Sequence, residues 1–335
     1  MLTPTLQTPN LETRIKSSKK PNIVVLGAGI SKEFGYPLAN ELLNDICIHG
    51  DQDSQRIIDL NRFCSSFYND FSPERLNYPD IEDFLGMVDV AEQYADIRFS
   101  KNRGYYWRSG KIEEIKFGIK KLISEYLWSF QKKIEGSDLS KISKMIDYFE
   151  SNTIYITFNY DLLLETALSK FNYDYTYGIS NNPEVLSILK PHGSINWFYK
   201  NRFKKHQPAE IIDYGNGLII ANTLNFTDIE RCKGMDPVII SPTPSKKIEE
   251  HDMKKIWTGF SSSVHNAKSL YIIGYSLANA DRLTRLVLKR AGPGHSNCKN
   301  IVAIRRTDHE EEYKKYISPY ARQIKSSFGN WADEI

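Results

Sequence analysis

Four short apolar stretches, far apart in the chain, each run into a polar turn. They are IVVLGAGIS (Ile23 to Ser31), YITFNYD (Tyr155 to Asp161), LKPHGS (Leu189 to Ser194) and YIIGYSL (Tyr271 to Leu277). Each has the form of a buried strand ending at a turn. In an open parallel sheet the strand C-termini gather along one edge, and ligands bind in the crevice outside it. The pattern therefore predicts one cleft shared by Gly27, Ala28, Gly29, Ser31, Asn159, Asp161, His192, Gly193, Gly274 and Ser276.

The rest of the chain fits such a sheet. Further strands are expected at Leu186 to Leu189, Leu218 to Ala221, Val238 to Ser241 and Ile301 to Ile304. Helical periodicity places helices at Glu249 to Asn266, Asp281 to Lys289 and Asp308 to Ile317. Alternating strands and helices specify an α/β fold with a Rossmann-like, doubly wound, mostly parallel sheet. Between the first strand and Ile154 lie more than a hundred residues, far beyond an ordinary crossover. That interval is helical in pattern, as in Asp80 to Tyr94, Ile112 to Ile134 and Leu139 to Phe149. It predicts an all-helical lobe, about residues 51–150, inserted into a domain of residues 21–335. Residues 1–20 are polar and read as a flexible N-terminal arm.

Net charge is only +3, far from the basic surplus of a typical nucleic-acid binder. No apolar run approaches the ~20 residues of a membrane span, and the polar N-terminus is no secretory signal. Cys47, Cys64, Cys232 and Cys298 stand far apart, without the close pairs a four-thiolate zinc site requires. Isolated thiols fit a reducing, cytoplasmic setting, and no zinc is expected.

Each motif has a plain and a chemical reading. Backbone amides of a Gly27-Ala28-Gly29 turn can accept a phosphate, or the turn is simply a tight corner. Lys32 occupies the place of the third glycine of a dinucleotide fingerprint, and no acidic residue is well placed about twenty residues on. An ordinary nicotinamide dehydrogenase is thus poorly supported. Asp161 is well placed to cap the following helix, which leaves Asn159 to face the cleft and hold a hydroxyl or a water. His192 is either structural or, beside a glycine at a strand end, a general base with an ordinary pKa near ~6.5. Asp281 reads as a helix cap.

Taken in order, GAGIS-x3-GYP, TFNYD, PHGS and GYSL-x3-D resemble the sirtuin superfamily over about Pro21 to Arg306. With Asn77 to Asp83, they look most like the bacterial sirtuin-like NADase branch found in anti-phage defence systems. The resemblance implies NAD as substrate, with Asn159 and His192 as the catalytic pair and Asp161 holding the nicotinamide carboxamide. It places Gly27, Ala28, Gly29 and Ser31 at the pyrophosphate and adjacent ribose, with Gly274 and Ser276 on the adenosine side. Gly193 and Ser194 join the set beside His192.

The resemblance also implies a homo-oligomer, some relatives being paired with a HerA-type ATPase. Because unchecked NAD depletion would kill a cell, gating by assembly, by such a partner or by a phage-derived trigger is expected. The aromatic residues Tyr105, Tyr106, Trp107, Tyr126 and Trp128 offer either an assembly surface or lobe core. Three departures count against protein deacylation. Phe158 stands where deacylating members carry Gln, Pro37 to Asn40 replaces their Asp-Phe-Arg loop, and their paired zinc cysteines are missing. The expected activity is NAD glycohydrolysis; a non-catalytic sensor of NAD or ADP-ribose, and less so a deacylase, are the alternatives.

Overall fold

A computed structural model describes residues 20–93, 109–149, 152–199, 218–221, 235–241, 248, 251–296, 298 and 300–335. Its centre is a seven-stranded parallel sheet. In chain order the strands are β1 (Asn22–Leu26), β2 (Thr153–Thr157), β3 (Tyr175–Tyr177), β4 (Leu186–Leu189), β8 (Ser269–Ile273), β9 (Asn300–Arg305) and β10 (Arg322–Lys325). They lie in the order β10-β9-β8-β1-β2-β4-β3. Every neighbouring pair is parallel. Ile23 to Leu26 and all of β2 are buried, as expected of strands covered on both faces.

After β1 the chain lays β2 beside it, then the edge strand β3, and returns to place β4 between the two. From β8 it builds the other way, through β9 and β10. The β1/β8 boundary is therefore the topological switch point, and a crevice is expected outside the C-termini of these two strands.

Helices α1 (Ala28–Lys32), α2 (Ala39–His49), α3 (Gln55–Phe67), α4 (Ile81–Gln93), α5 (Ser109–Glu135) and α6 (Ser140–Phe149) fall between β1 and β2. The helical insertion is thus present. In α6 the residues Ile142, Met145, Ile146 and Phe149 form a buried stripe at spacings of three and four. Tyr126 and Trp128 pack against the hydrophobic core. Tyr105, Tyr106, Trp107, Cys232 and the arm through residue 19 lie outside the described residues.

The second half of the chain departs from expectation in one respect. The stretches Leu218 to Ala221 and Val238 to Ser241 do not join the parallel sheet. They form β6 (Leu218–Ile220) and β7 (Asp236–Ile239), which flank β5 (Gly193–Tyr199) in a separate antiparallel sheet. Only Lys190, Pro191 and His192 separate β4 from β5. A parallel neighbour needs a crossover of a dozen residues or more, so a three-residue turn forces the chain out of the main sheet.

The remaining helices are α7 (Leu163–Lys170), α8 (His251–His265), α9 (Arg282–Leu288), α10 (Glu310–Tyr316) and α11 (Phe328–Glu334). Among the described residues no helix is long and apolar enough to cross a membrane.

Candidate functional site

At the switch point two backbone turns meet without side chains between them. Gly27 N–H donates to Ile273 O at 3.0 Å and Gly29 N–H to Gly274 O at 2.9 Å. A Cβ on Gly27 would lie 2.5 Å from Tyr275 Cα, and one on Gly29 would lie 2.9 Å from Gly274 Cα. Gly274 adopts φ +66°, and a Cβ there would lie 2.7 Å from Ile30 N. The glycines are therefore required by close approach of β1 and β8 ends. Two of the three turn amides are spent on this contact. Ala28 N–H is left without a partner among the described residues.

Beside this contact opens a cavity of about 570 Å³. Gly27, Ala28 and Gly29 line it, as do Asn159, Asp161, His192, Gly274 and Ser276. Residues from four distant segments thus meet at one sheet edge. Ser31, Gly193 and Ser194 stand behind the wall. Ser31 is buried and accepts a hydrogen bond from Asn159 Nδ2 at 2.9 Å. Gly193 adopts φ +84°, and a Cβ on it would fall 1.8 Å from Val238 O. Ser194 is buried, with Oγ 3.4 Å from the Tyr160 carbonyl.

Asn159 follows β2 and anchors the end of that strand to the first turn. Its Nδ2 donates to Gly27 O at 3.1 Å as well as to Ser31 Oγ. With the amide nitrogen used inward, Oδ1 is the acceptor left to the cavity.

Asp161 is buried, and Leu163 N–H donates to its Oδ1 at 3.0 Å. That bond reaches only two residues ahead, and the N-cap position of α7 is Leu162, which has no side-chain cap bond, so the expected capping role of Asp161 is not met. Burial raises its carboxyl above the ordinary carboxylate range, against the opposing effects of Lys190 and Ser31. Behind it, the Lys190 ammonium donates to Asp161 O at 2.6 Å and to Glu165 Oε1 at 2.8 Å. Tyr177 Oη donates to the same Glu165 oxygen at 3.1 Å.

His192 occupies the turn between β4 and β5. Its carbonyl accepts from Ile240 N–H at 2.8 Å, which fixes the backbone to the small sheet. Its Nε2 lies 2.8 Å from Asp281 Oδ2. Asp281 is completely buried and also caps α9, accepting from Thr284 N–H at 3.2 Å and Thr284 Oγ1 at 2.5 Å. The Phe158 ring packs 4.9 Å from the imidazole and 4.6 Å from Tyr275.

Sequence reasoning gave Asp281 only its capping role, and Lys190 and Glu165 no role at all. The single cue for Asp281 was its place after the GYSL turn. A lysine between an apolar strand and a proline gave no sign of burial. Arg305, Arg306 and Thr307, from the end of β9, line the opposite side of the cavity and were also missed. No cluster of metal-ligating side chains is found among the described residues.

By overall structure the chain is similar to several solved proteins. A Sir2 homologue mutant in complex with ADP-ribose aligns with a TM-score of 0.41 and 13% identity, covering 98% of this chain and 94% of that one. A Sir2 homologue–NAD complex aligns with a TM-score of 0.40 and 14% identity, covering 99% and 94%. A Sir2 protein bound to a propionylated peptide gives a TM-score of 0.37 and 13% identity, covering 97% of each chain. No curated protein matches by sequence. The family model described as "SIR2-like domain" matches residues 153–323, just over half of the chain and including Asn159, Asp161, His192 and Asp281. The chain belongs to the SIR2-like family.

Proposed function

We propose that this protein hydrolyses the N-glycosidic bond of NAD, releasing nicotinamide and ADP-ribose. The observation that carries the reading is the buried His192–Asp281 pair, opening on the same cavity as Asn159 and Asp161. Family membership makes NAD the ligand of choice for that cavity.

Nicotinamide is cationic in NAD and departs as a neutral molecule, so cleavage needs no strong general acid. The C–N electron pair leaves with nicotinamide while a water oxygen bonds to C1′ of the ribose. The site must position that water and take its proton. The Asp281 carboxylate beside Nε2 stabilises the charge that His192 gains as it takes the water proton. Asn159 Oδ1 orients the water or a ribose hydroxyl. Asp161, whose buried side chain lines the cavity, pairs with the nicotinamide carboxamide by accepting from its N–H. Phe158, which lies against His192, offers no amide to a ribose hydroxyl. That favours water over an acyl oxygen as nucleophile, and so hydrolysis over deacylation.

The motifs GAGIS, TFNYD and PHGS support placing the activity in the anti-phage defence branch. There it acts as a homo-oligomeric effector that depletes NAD when a HerA-type ATPase or a phage-derived trigger engages it. The decisive experiment incubates purified protein with NAD, with and without zinc, an acyl peptide and the candidate partner, and follows nicotinamide by chromatography. Release of nicotinamide that needs neither zinc nor peptide is the expected result. Release only with peptide would replace hydrolase by deacylase, and none under any condition would leave a binding module.

A further inference from the structure

Lys190 stands between the two halves of the site. It is the first residue after β4 and lies two positions before His192. Its side chain is fully buried, although it carries an ammonium group. That ammonium donates to the Asp161 carbonyl at 2.6 Å and to Glu165 Oε1, on α7, at 2.8 Å. Asp161 lies two positions after Asn159 in the loop that follows β2. One side chain thus joins the strand end that leads to His192 with the loop that brings Asn159 and Asp161 to the cavity.

The surrounding backbone is already anchored. Ile195 N–H donates to Tyr160 O at 3.0 Å, and Trp257 Nε1 donates to Pro191 O at 2.9 Å. A charge pair taken wholly out of water is expensive, and apolar residues of similar volume commonly serve stability as well. Stability therefore does not explain a lysine here. What an apolar side chain cannot do is bond the Asp161 carbonyl and set a positive charge behind its carboxyl. Burial pushes that carboxyl up, and Lys190 is the largest opposing influence, ahead of the Ser31 hydroxyl and Leu163 N–H. Glu165 pushes it up further, but by less than Lys190 pulls it down. The Tyr36 phenol, also near Asp161, is raised above its ordinary range and stays neutral. A charged carboxylate accepts a stronger hydrogen bond from a carboxamide N–H than a neutral carboxyl does.

We infer that Lys190 is a positioning residue of the NAD site: bound to the Asp161 carbonyl and paired with Glu165, it holds Asp161 as the acceptor for the nicotinamide carboxamide. The inference rests on the NAD reading of the cavity and adds to it a residue that acts only through another.

The test is calorimetric titration of NAD, over a range of pH, into the full-length His192→Ala protein. That parent suppresses turnover and removes the imidazole's own titration. Lys190→Met and Glu165→Gln are added together, so that no charge is left buried alone. Binding at pH 7 is expected to weaken about tenfold, the scale of one charge-assisted hydrogen bond. The deficit is expected to narrow at higher pH, where the carboxyl ionises without the lysine. Glu165→Gln alone keeps the ammonium and removes the competing charge, so its binding is expected to persist to lower pH than in the parent. Melting curves accompany each titration, and if the double variant does not fold, the direction of the Glu165→Gln shift decides alone. Equal affinity in parent and double variant, or a deficit that is the same at every pH, would overturn the positioning role and leave the NAD site standing. So would a Glu165→Gln protein that loses NAD at higher pH than the parent. Failure of the parent to bind NAD would remove both readings together.

Discussion

Asp281 Oδ2 stands 2.8 Å from His192 Nε2, and both groups are shut away from solvent although 89 residues separate them in the chain. The carboxylate comes from the cap of α9 and the imidazole from the turn after β4, so the pair exists only when both halves of the sheet are assembled. A buried carboxylate beside an imidazole fixes its tautomer and orientation and stabilises the charge it gains on taking a proton. Asp281→Asn keeps a capping side chain but removes that charge. Nicotinamide release is expected to fall by about 10²–10⁴, and by a similar factor in His192→Ala and Asn159→Ala. Single-turnover rates measured on variants with unchanged melting curves check this. Near-normal turnover in His192→Ala would remove the proposed base.

Asp161 makes a prediction about pH. Burial raises its carboxyl above the ordinary range in the folded protein. The protonated form is compatible with the fold at low pH, below the unfolded value of about 3.9, and stability is lost as pH rises toward and through the higher folded value. Asp161→Asn removes that loss. The variant is expected to melt above the parent at pH 7, the gap closing below about pH 4, and to bind NAD more weakly. A gap that widens on acidification would contradict the assignment.

Gly193 is held at φ +84° with no room for a methyl group, whereas Gly35 is held at φ +90° with nothing within 4 Å of a Cβ. Gly35→Ala therefore carries backbone strain alone, on the order of 1 kcal/mol. Gly193→Ala adds a collision with Val238 O and is expected to lose more than about 2 kcal/mol. Denaturant unfolding of the two variants separates strain from overlap.

Lys190 and Glu165 are an ion pair with side chains 0% and 1% exposed. Lys190→Met leaves a buried carboxylate unpaired and is expected to destabilise by about 3–5 kcal/mol. Adding Glu165→Gln is expected to return part of that loss, because a neutral amide is far easier to bury. Urea melts of the two single variants and the pair measure the coupling.

The sheet was legible because its central strands announce themselves. Asn22–Leu26, Thr153–Thr157 and Ser269–Ile273 are short apolar runs closed by turn residues, and a strand covered on both faces has no other pattern to show. The edges were less legible. Arg322–Lys325 is mostly exposed and charged, and Tyr175–Tyr177 is only three residues long. The strand Gly193–Tyr199 begins inside what looks like a turn motif, and its antiparallel pairing follows from a linker length rather than from its own residues. The site followed the same division. Asn159, Asp161 and His192 were marked by their strand ends, while Asp281, Lys190 and Arg305 depend on partners brought from elsewhere, which residue type alone does not reveal.

The contact of Gly27 and Gly29 with Gly274 and Tyr275 has a consequence for how recognition can vary. At this seam the main chain of one turn rests on the main chain of another, and even a single methyl group has no place. Whatever a ligand meets there is peptide backbone, the same in any sequence that keeps the glycines. Changes of substrate preference must therefore arise at the two ends of the crevice, at the His192 turn or beyond β9, while the middle stays constant.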